Sequence, residues 1–559
     1  MIGLAWLVLL DDSRLAGAVE RLRGALSAAG VRDCGDVGGP GTAQADAVVV
    51  WADRSLPDDV TAALLGTGRP LVLAGPTLDR ADPSGALADA AGVVPGAATG
   101  AHDIRVRSGR DGEALEWALM AHQHRRADTS THAGTHDHLT DRVLRLEKVA
   151  DDVCVLLVAN VGLTTHPLAT WRPSTRALAW TPGARPESVD SRAAIRLLLT
   201  ALRHAIAYPP PRPVGVGLLG YGAIGHEHSR AIRHVPGLHL AAVCDTNAQR
   251  RAAATNAAPQ LRAFTEAADL LADDDVDVVV VSTPPNTHAA WAEAVLSAGK
   301  HVIVEKPFAI RTEEADAVLR LARQHGLLAA VYQNRRFDPD HLAVRRAVTA
   351  GTLGDVFHIE AFVGGYGHPC NLWHSDTDVS GGAVYDWGAH VLDQLLDLMP
   401  GDIEHVTAAE QKRVWLDVTN ADHSRVTVRF TSGAEATFVY SDLAAALKPR
   451  WYLLGTRGAI VGHWRTERVI ARNDIGTLEE DVLAPADSPP LLDLHSPDGS
   501  VTRLATPPAA PYAFHQELAD RLRLGLPMSI TGEQSRRVLS VMEAATESVA
   551  AGARPVRPR

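Results

Sequence analysis

Gly220-Tyr221-Gly222-Ala223-Ile224-Gly225 closes a short apolar run that begins at Val214, and a helix-like segment, His226 to His234, follows it. This spacing suits the pyrophosphate of a dinucleotide. The first glycine permits a tight strand-to-helix turn, the second lets backbone approach the anion, and the third lets helix and sheet pack closely. The helix N-terminus offers unpaired N–H donors to the same charge. A second apolar run, Leu238 to Cys244, ends at Asp245, about 25 residues past Gly220, where a carboxylate can accept from a ribose hydroxyl.

Two further strand ends carry reactive residue types. Asp277–Ser282 leads into Thr283-Pro284-Pro285-Asn286-Thr287-His288, and a run from Ala298 ends in Glu305-Lys306-Pro307. In a doubly wound sheet such ends face the cofactor crevice, where a lysine can point at the nicotinamide and the substrate. Gly381-Gly382 precedes Asp386, His390 and Asp393. Asp386 and His390 are four apart, hence on one helix face, and a carboxylate beside an imidazole raises its pKa and tunes it as a proton acceptor. Read singly, each feature also fits a structural role: a surface lysine before a turn, or a capping Asp386 with a packed His390.

The elements that must position these residues fall into three blocks. No Tyr precedes Tyr208 and no Phe precedes Phe264, and Tyr208-Pro-Pro-Pro-Arg-Pro213 reads as a stiff linker at the change. Residues 1–207 alternate strand-like runs (Gly3–Leu10, Ala47–Trp51, Leu71–Ala74) with helix-like ones (Ser13–Ala29, Ser191–Ala207), which predicts a parallel α/β sheet. Residues 214–336 repeat that rhythm as a Rossmann domain. Residues 337–552 change to strand alternations, with helix candidates at Gly388–Leu398 and Ala513–Leu524, which predicts an α+β domain on a large, mostly antiparallel sheet. Asp474–Pro508 reads as loop, and 553–559 as a frayed tail.

At 559 residues the chain is too long for one core. With 46% hydrophobic and 21% charged residues it has the composition of a soluble globular protein. A net charge of −12 and the lack of a basic stripe exclude nucleic acid as an expected partner. Four scattered cysteines without C-x-x-C spacing argue against a disulfide framework and for the cytoplasm. No apolar run is long enough to span a membrane. His122, His124, His132, His136 and His138 crowd one polar segment, but no metal-binding spacing accompanies them, and no metal is expected.

Taken together, the glycine fingerprint, Asp245, Thr283-Pro284 with Asn286 and His288, Glu305-Lys306-Pro307, and the Gly381-Gly382…Asp386…His390…Asp393 run resemble the Gfo/Idh/MocA family of sugar and cyclitol dehydrogenases. Phe514-His515-Gln516-Glu517-Leu518 and Gly532–Gly552 are similar to its C-terminal pattern, so the resemblance covers Val214 to about Gly552. It implies hydride transfer between NAD, in preference to NADP, and a secondary hydroxyl of a sugar, glycoside or cyclitol, in a homo-oligomer. It also implies that Lys306 hydrogen-bonds the reacting hydroxyl, that His390 takes its proton, and that Asp386 holds substrate and polarises the imidazole. The glycine loop, Asp245, Thr283, Pro284, Asn286, His288, Glu305 and Lys306 would bind the cofactor. Substrate selectivity is expected in the loops around Gly364–Asp378.

Residues 1–207, with Thr165-His-Pro-Leu-Ala-Thr-Trp171 and Ala179-Trp-Thr-Pro-Gly183, resemble ThuA-like domains of the class I glutamine-amidotransferase type. A glutaminase needs a nucleophile at a strand–helix elbow, and Leu73-Ala74-Gly75-Pro76-Thr77 has no cysteine or serine there. Two rival readings stay open for the whole chain. One is NAD-retaining, redox-neutral glycoside cleavage by transient oxidation and elimination; the other is a non-enzymatic, nucleotide-responsive binding protein.

Overall fold

A computed structural model describes residues 2–37, 42–80, 82, 85–91, 93–108, 121–122, 134–135, 137–161, 164–182, 189, 191–206, 212–369, 373–464, 466–473, 476–483, 490–507, 510 and 512–559. The chain forms two compact units. The first is Met1–Val214 with Arg233–His239 and His515–Met528; the second is Gly215–Ile232, Leu240–Phe514 and Ser529–Arg559.

In the second unit a six-stranded sheet runs Arg262–Phe264, Leu238–Cys244, Val214–Leu219, Val278–Val281, His301–Val304, Ala329–Val331. Val216 pairs with Val278 and Val278 with His301, both in parallel register. The central strands Val278–Val281 and His301–Val304 are nearly continuous Val and Ile because helices bury both faces of a parallel sheet. After Val214–Leu219 the chain builds strands on one side, then crosses to Val278–Val281 on the other. That switch of direction leaves a crevice at the strand ends beside Gly220 and Ser282.

The eight-stranded sheet of the same unit runs Ile403–Gln411, His423–Phe430, Glu435–Ser441, Val356–Gly364, Trp451–Gly455, Gly458–His463, Leu491–His495, Val501–Arg503. Its pairs are antiparallel except Val356–Gly364 with Glu435–Ser441. Helix Ala383–Leu398 packs on one face, its Leu392 and Leu395 in one buried cluster with Phe438 and Trp451. The helix begins five residues before the expected Gly388. Gly382, at φ 105°, caps it, whereas Gly388 sits where an added Cβ would lie 3.3 Å from the Phe438 ring. Gly388 thus marks close approach of helix to sheet rather than a start.

Two expectations of irregular chain are corrected. Within Asp474–Pro508 lie strands Gly476–Leu483, Leu491–His495 and Val501–Arg503. They pair through backbone hydrogen bonds, which a polar, Pro-flanked sequence does not advertise. The tail is tied as well: Val556 exchanges backbone hydrogen bonds of 2.7 and 2.9 Å with Val406 on the edge strand Ile403–Gln411.

The first unit holds a nine-stranded sheet. Arg32–Asp36, Gly3–Leu9, Ala47–Ala52, Leu71–Ala74 and Ala177–Trp180 pair in parallel. Thr164–Arg172, Cys154–Val161, Val93–Ser108 and Asp137–Val149 continue it in antiparallel pairs, against the expectation of a parallel sheet throughout. Residues 173–176 form a turn between Thr164–Arg172 and Ala177–Trp180, and so short a connection permits only antiparallel pairing. At the elbow Thr77 is fully buried, its hydroxyl donating to backbone oxygens of Val50 and Ala74 at 3.0 and 2.6 Å. His124, His132 and His136 lie outside the described residues, among which no three His, Cys, Asp or Glu converge as a metal site and no helix is long and apolar enough to cross a membrane.

Candidate active site

The glycine loop is shaped for close backbone approach. Gly220 has φ 99°, and a Cβ there would sit 2.6 Å from the Ser282 carbonyl oxygen. A Cβ on Gly225 would lie 2.7 Å from the Gly220 oxygen, so the helix packs directly on the strand end. At Gly222 an added Cβ would meet only Arg250 Nη1, at 3.9 Å. The cradle is therefore closed behind and open in front, and helix Ala223–His234 starts within it, three residues earlier than expected. The backbone N–H groups of that first turn, at Ala223 and Ile224, have no acceptor within the helix itself. These residues fit a dinucleotide pyrophosphate. Tyr221 contributes backbone only: its ring is buried, 4.3 Å from the His226 ring, and its N–H donates to Asp245 Oδ2 at 2.8 Å.

Asp245 also accepts from the Asn247 N–H at 2.8 Å, and Arg250 Nη1 stands 3.6 Å from its Oδ2. The carboxylate is thus fixed at the strand end with a half-exposed guanidinium beside it. Thr283 Oγ1 lies 2.7 Å from Thr287 Oγ1, Pro284 leads into the turn Pro285–Thr287, and Asn286 is exposed on that turn.

His288 and Glu305 are placed differently from their expected role as cofactor contacts. His288 is buried, with Nδ1 2.7 Å from the Pro307 oxygen and Nε2 2.8 Å from the Thr283 oxygen. Glu305 is buried too, Oε1 lying 2.8 Å from His228 Nε2 and Oε2 accepting from the Lys306 N–H at 3.0 Å. Their polar atoms are spent inside the protein. They brace the strand end from which Lys306 emerges and the cis Lys306–Pro307 peptide that follows.

Lys306 Nζ donates to Asp386 Oδ1 at 2.6 Å. Burial raises the Asp386 carboxyl, but Lys306 and then His374 outweigh it and hold the pKa below its usual value. Asp386 is therefore engaged by Lys306, not by His390, and the expected rise in the imidazole pKa is reversed. Burial, followed by the charges of Lys306, Arg335 and Arg450, drives His390 well below the usual histidine value. The ring is thereby held toward its neutral form, and among the described residues its buried Nδ1 has no hydrogen-bond partner.

Several residues here were not legible as site residues. His374 is pushed down by burial and feels both Asp386 and Lys306. Together with Asn420, Tyr440 and Asp442 it lines a pocket of about 270 Å³ that also includes Asp386. His374 does fall within the Gly364–Asp378 stretch. A signal for Tyr440 and Asp442 was present in their position, polar residues at the end of the apolar strand Glu435–Ser441.

Comparison with known proteins agrees with this geometry. Residues 214–333 match the model of the oxidoreductase family with the NAD-binding Rossmann fold, and residues 341–461 match the GFO/IDH/MocA C-terminal domain. An uncharacterized oxidoreductase of Schizosaccharomyces pombe is 31% identical over 38% of this chain, which spans only 61% of that relative's length. The uncharacterized oxidoreductase YdgJ of Escherichia coli is 30% identical over 44% of this chain and 70% of its own. A scyllo-inositol 2-dehydrogenase (NADP(+)) of Bacillus subtilis is 25% identical over 60% of this chain and 93% of its own. Among solved structures, an NAD-binding protein from Listeria innocua superposes with a TM-score of 0.53 at 27% identity, covering 62% of this chain and 97% of that one. With the nucleotide cradle, the adjoining α+β domain and these matches in place, the chain belongs to the Gfo/Idh/MocA oxidoreductase family.

Proposed function

We propose that this protein is an NAD(P)-dependent dehydrogenase that oxidises a secondary hydroxyl of a sugar, glycoside or cyclitol to the ketone. The observation that carries the reading is the Lys306–Asp386 contact of 2.6 Å, set at a strand end in the unit that holds the nucleotide cradle. The nicotinamide, when bound, supplies the hydride acceptor. The loop Gly220–Gly225 and Asp245 would hold the cofactor, with Thr283, Pro284 and Asn286 at the neighbouring strand end. Asp386 orients the Lys306 ammonium, which donates to the hydroxyl oxygen that reacts. His390, kept neutral by its surroundings, accepts the hydroxyl proton at Nε2. Released NADH from purified protein, NAD and a panel of sugars and cyclitols tests this. Sugar cleavage without NADH release would replace the reading with redox-neutral elimination.

Cofactor choice follows from Asp245. A fixed carboxylate accepts from a ribose hydroxyl and repels a 2′-phosphate, so NAD should bind at least about tenfold more tightly than NADP in calorimetric titration. Arg250 opposes this preference, and Arg250→Ala should widen the gap. Equal or tighter NADP binding by the unaltered protein would sink the assignment. A homo-oligomer is also proposed, formed on the outward side of the eight-stranded sheet where Glu360 pairs across from the exposed Tyr452. Sedimentation velocity reads it directly, and a monomer would remove it.

A further inference from the structure

The pocket beside Lys306 and Asp386 carries a negative charge that its wall does not balance. Three carboxylates act there, and two have cations. Asp386 is matched by Lys306 at 2.6 Å. Asp422, which raises the Asp442 pKa through its charge, is matched by Lys412 at 2.9 Å and accepts from the Arg413 and Val414 N–H groups at 2.6 and 2.7 Å. Asp442 lines the pocket, and among the described residues its one side-chain hydrogen bond is from the Tyr440 hydroxyl, which donates to Oδ1 at 2.7 Å. Among the described residues no cation pairs with it.

The other polar walls do not supply the missing charge. Asn420 gives its amide to the His374 oxygen at 2.7 Å, and its carbonyl accepts from Thr377 Oγ1 at 3.0 Å. His374 is held toward its neutral form by burial. Burial first, then the charges of Asp422 and Asp386, raises the Asp442 pKa, outweighing the Tyr440 hydrogen bond and Lys412. A cationic group arriving in the pocket relieves that repulsion, and a charge-assisted hydrogen bond is roughly twice as strong as a neutral one. Tyr440 fixes one Asp442 oxygen and leaves Oδ2 for the arriving group.

We propose that the substrate carries an ammonium group, as an aminated sugar or aminocyclitol, and that Asp442 is the residue that selects it. The proposal rests on the dehydrogenase reading of the site. The reacting hydroxyl lies at Lys306 and the amine on another ring carbon toward Asp442. The amine therefore anchors the ring and leaves unchanged.

The test compares kcat/KM of the 559-residue chain with NAD and with NADP on paired probes. Glucosamine is set against glucose and N-acetylglucosamine, and 1-amino-1-deoxy-scyllo-inositol against scyllo-inositol. At least one amine should exceed its neutral partner by about 10- to 100-fold, the range expected of a hydrogen bond to a charged group. Asp442→Asn keeps the shape and removes the charge, so that ratio should collapse toward one. Calorimetry of the preferred amine on the cofactor-loaded protein should show the same loss of affinity, and NAD titration of the variant checks that it is folded. Neutral polyols turned over as well as or better than the amines, or a ratio unmoved by Asp442→Asn, would overturn the proposal and leave the dehydrogenase reading standing. NADH or NADPH formation from none of the probes would count against both.

Discussion

Lys306→Ala and His390→Ala should each lower kcat for alcohol oxidation by about two to four orders of magnitude, while NAD affinity changes little. The ammonium and the imidazole serve one proton transfer, so the double variant should lose scarcely more than the worse single one. The pH profile carries a separate signature. His390 acts as a base only when neutral, so its protonation slows oxidation as pH falls through its pKa. Because that pKa is driven well below the usual value of about 6.5, the decline due to His390 belongs below that pH. Near-normal turnover by either single variant on the true substrate would show that the chemistry lies elsewhere.

Arg336→Met should cost about 3–5 kcal/mol of stability. Arg336 is buried and reaches Asp393 through Nε and Nη2 at 2.6 and 2.8 Å, and Asp397 through Nη1 at 2.8 Å. Removing it strands Asp393, which is 1% exposed and three residues past His390 on the same helix. Asp397 is less exposed to the loss, because His341 Nε2 and Arg345 Nε remain 3.0 and 3.2 Å away. Denaturant midpoints measure the effect. Arg336→Met combined with Asp393→Asn should recover part of it, since the uncompensated charge is then gone. A single variant as stable as the parent would mean that solvent reaches Asp393.

The glycine loop was legible because its chemistry is local: one strand, one turn and one helix, all within Val214–His234. The Lys306 end was legible for the same reason, since strand and proline are adjacent in the chain. The partnership of Asp386 was not. Spacing of four put it on the His390 face, but its cation comes from 80 residues upstream, and no periodicity reports a contact at that separation. His288 and Glu305 show the converse. Their motifs pointed at the cofactor, while their hydrogen bonds turn inward to Pro307, Thr283 and the Lys306 N–H. Asp442 escaped attention because an uncompensated charge can be seen only after every neighbouring charge has been paired.

The first unit draws its last segment, His515–Met528, from near the far end of the chain. There Asp520 accepts from Arg192 and Arg196 at 2.9 and 3.1 Å, across 328 and 324 residues of sequence, and Leu524 and Leu526 join its buried cluster. A ribosome releases the N-terminus long before it has made residue 528. The nascent first unit must therefore wait, its core unfinished and the buried face of helix Arg192–Ala205 uncovered, until residues 515–528 have been made. The first unit can close only after residues 215–232 and 240–514, which belong to the second unit, have been made.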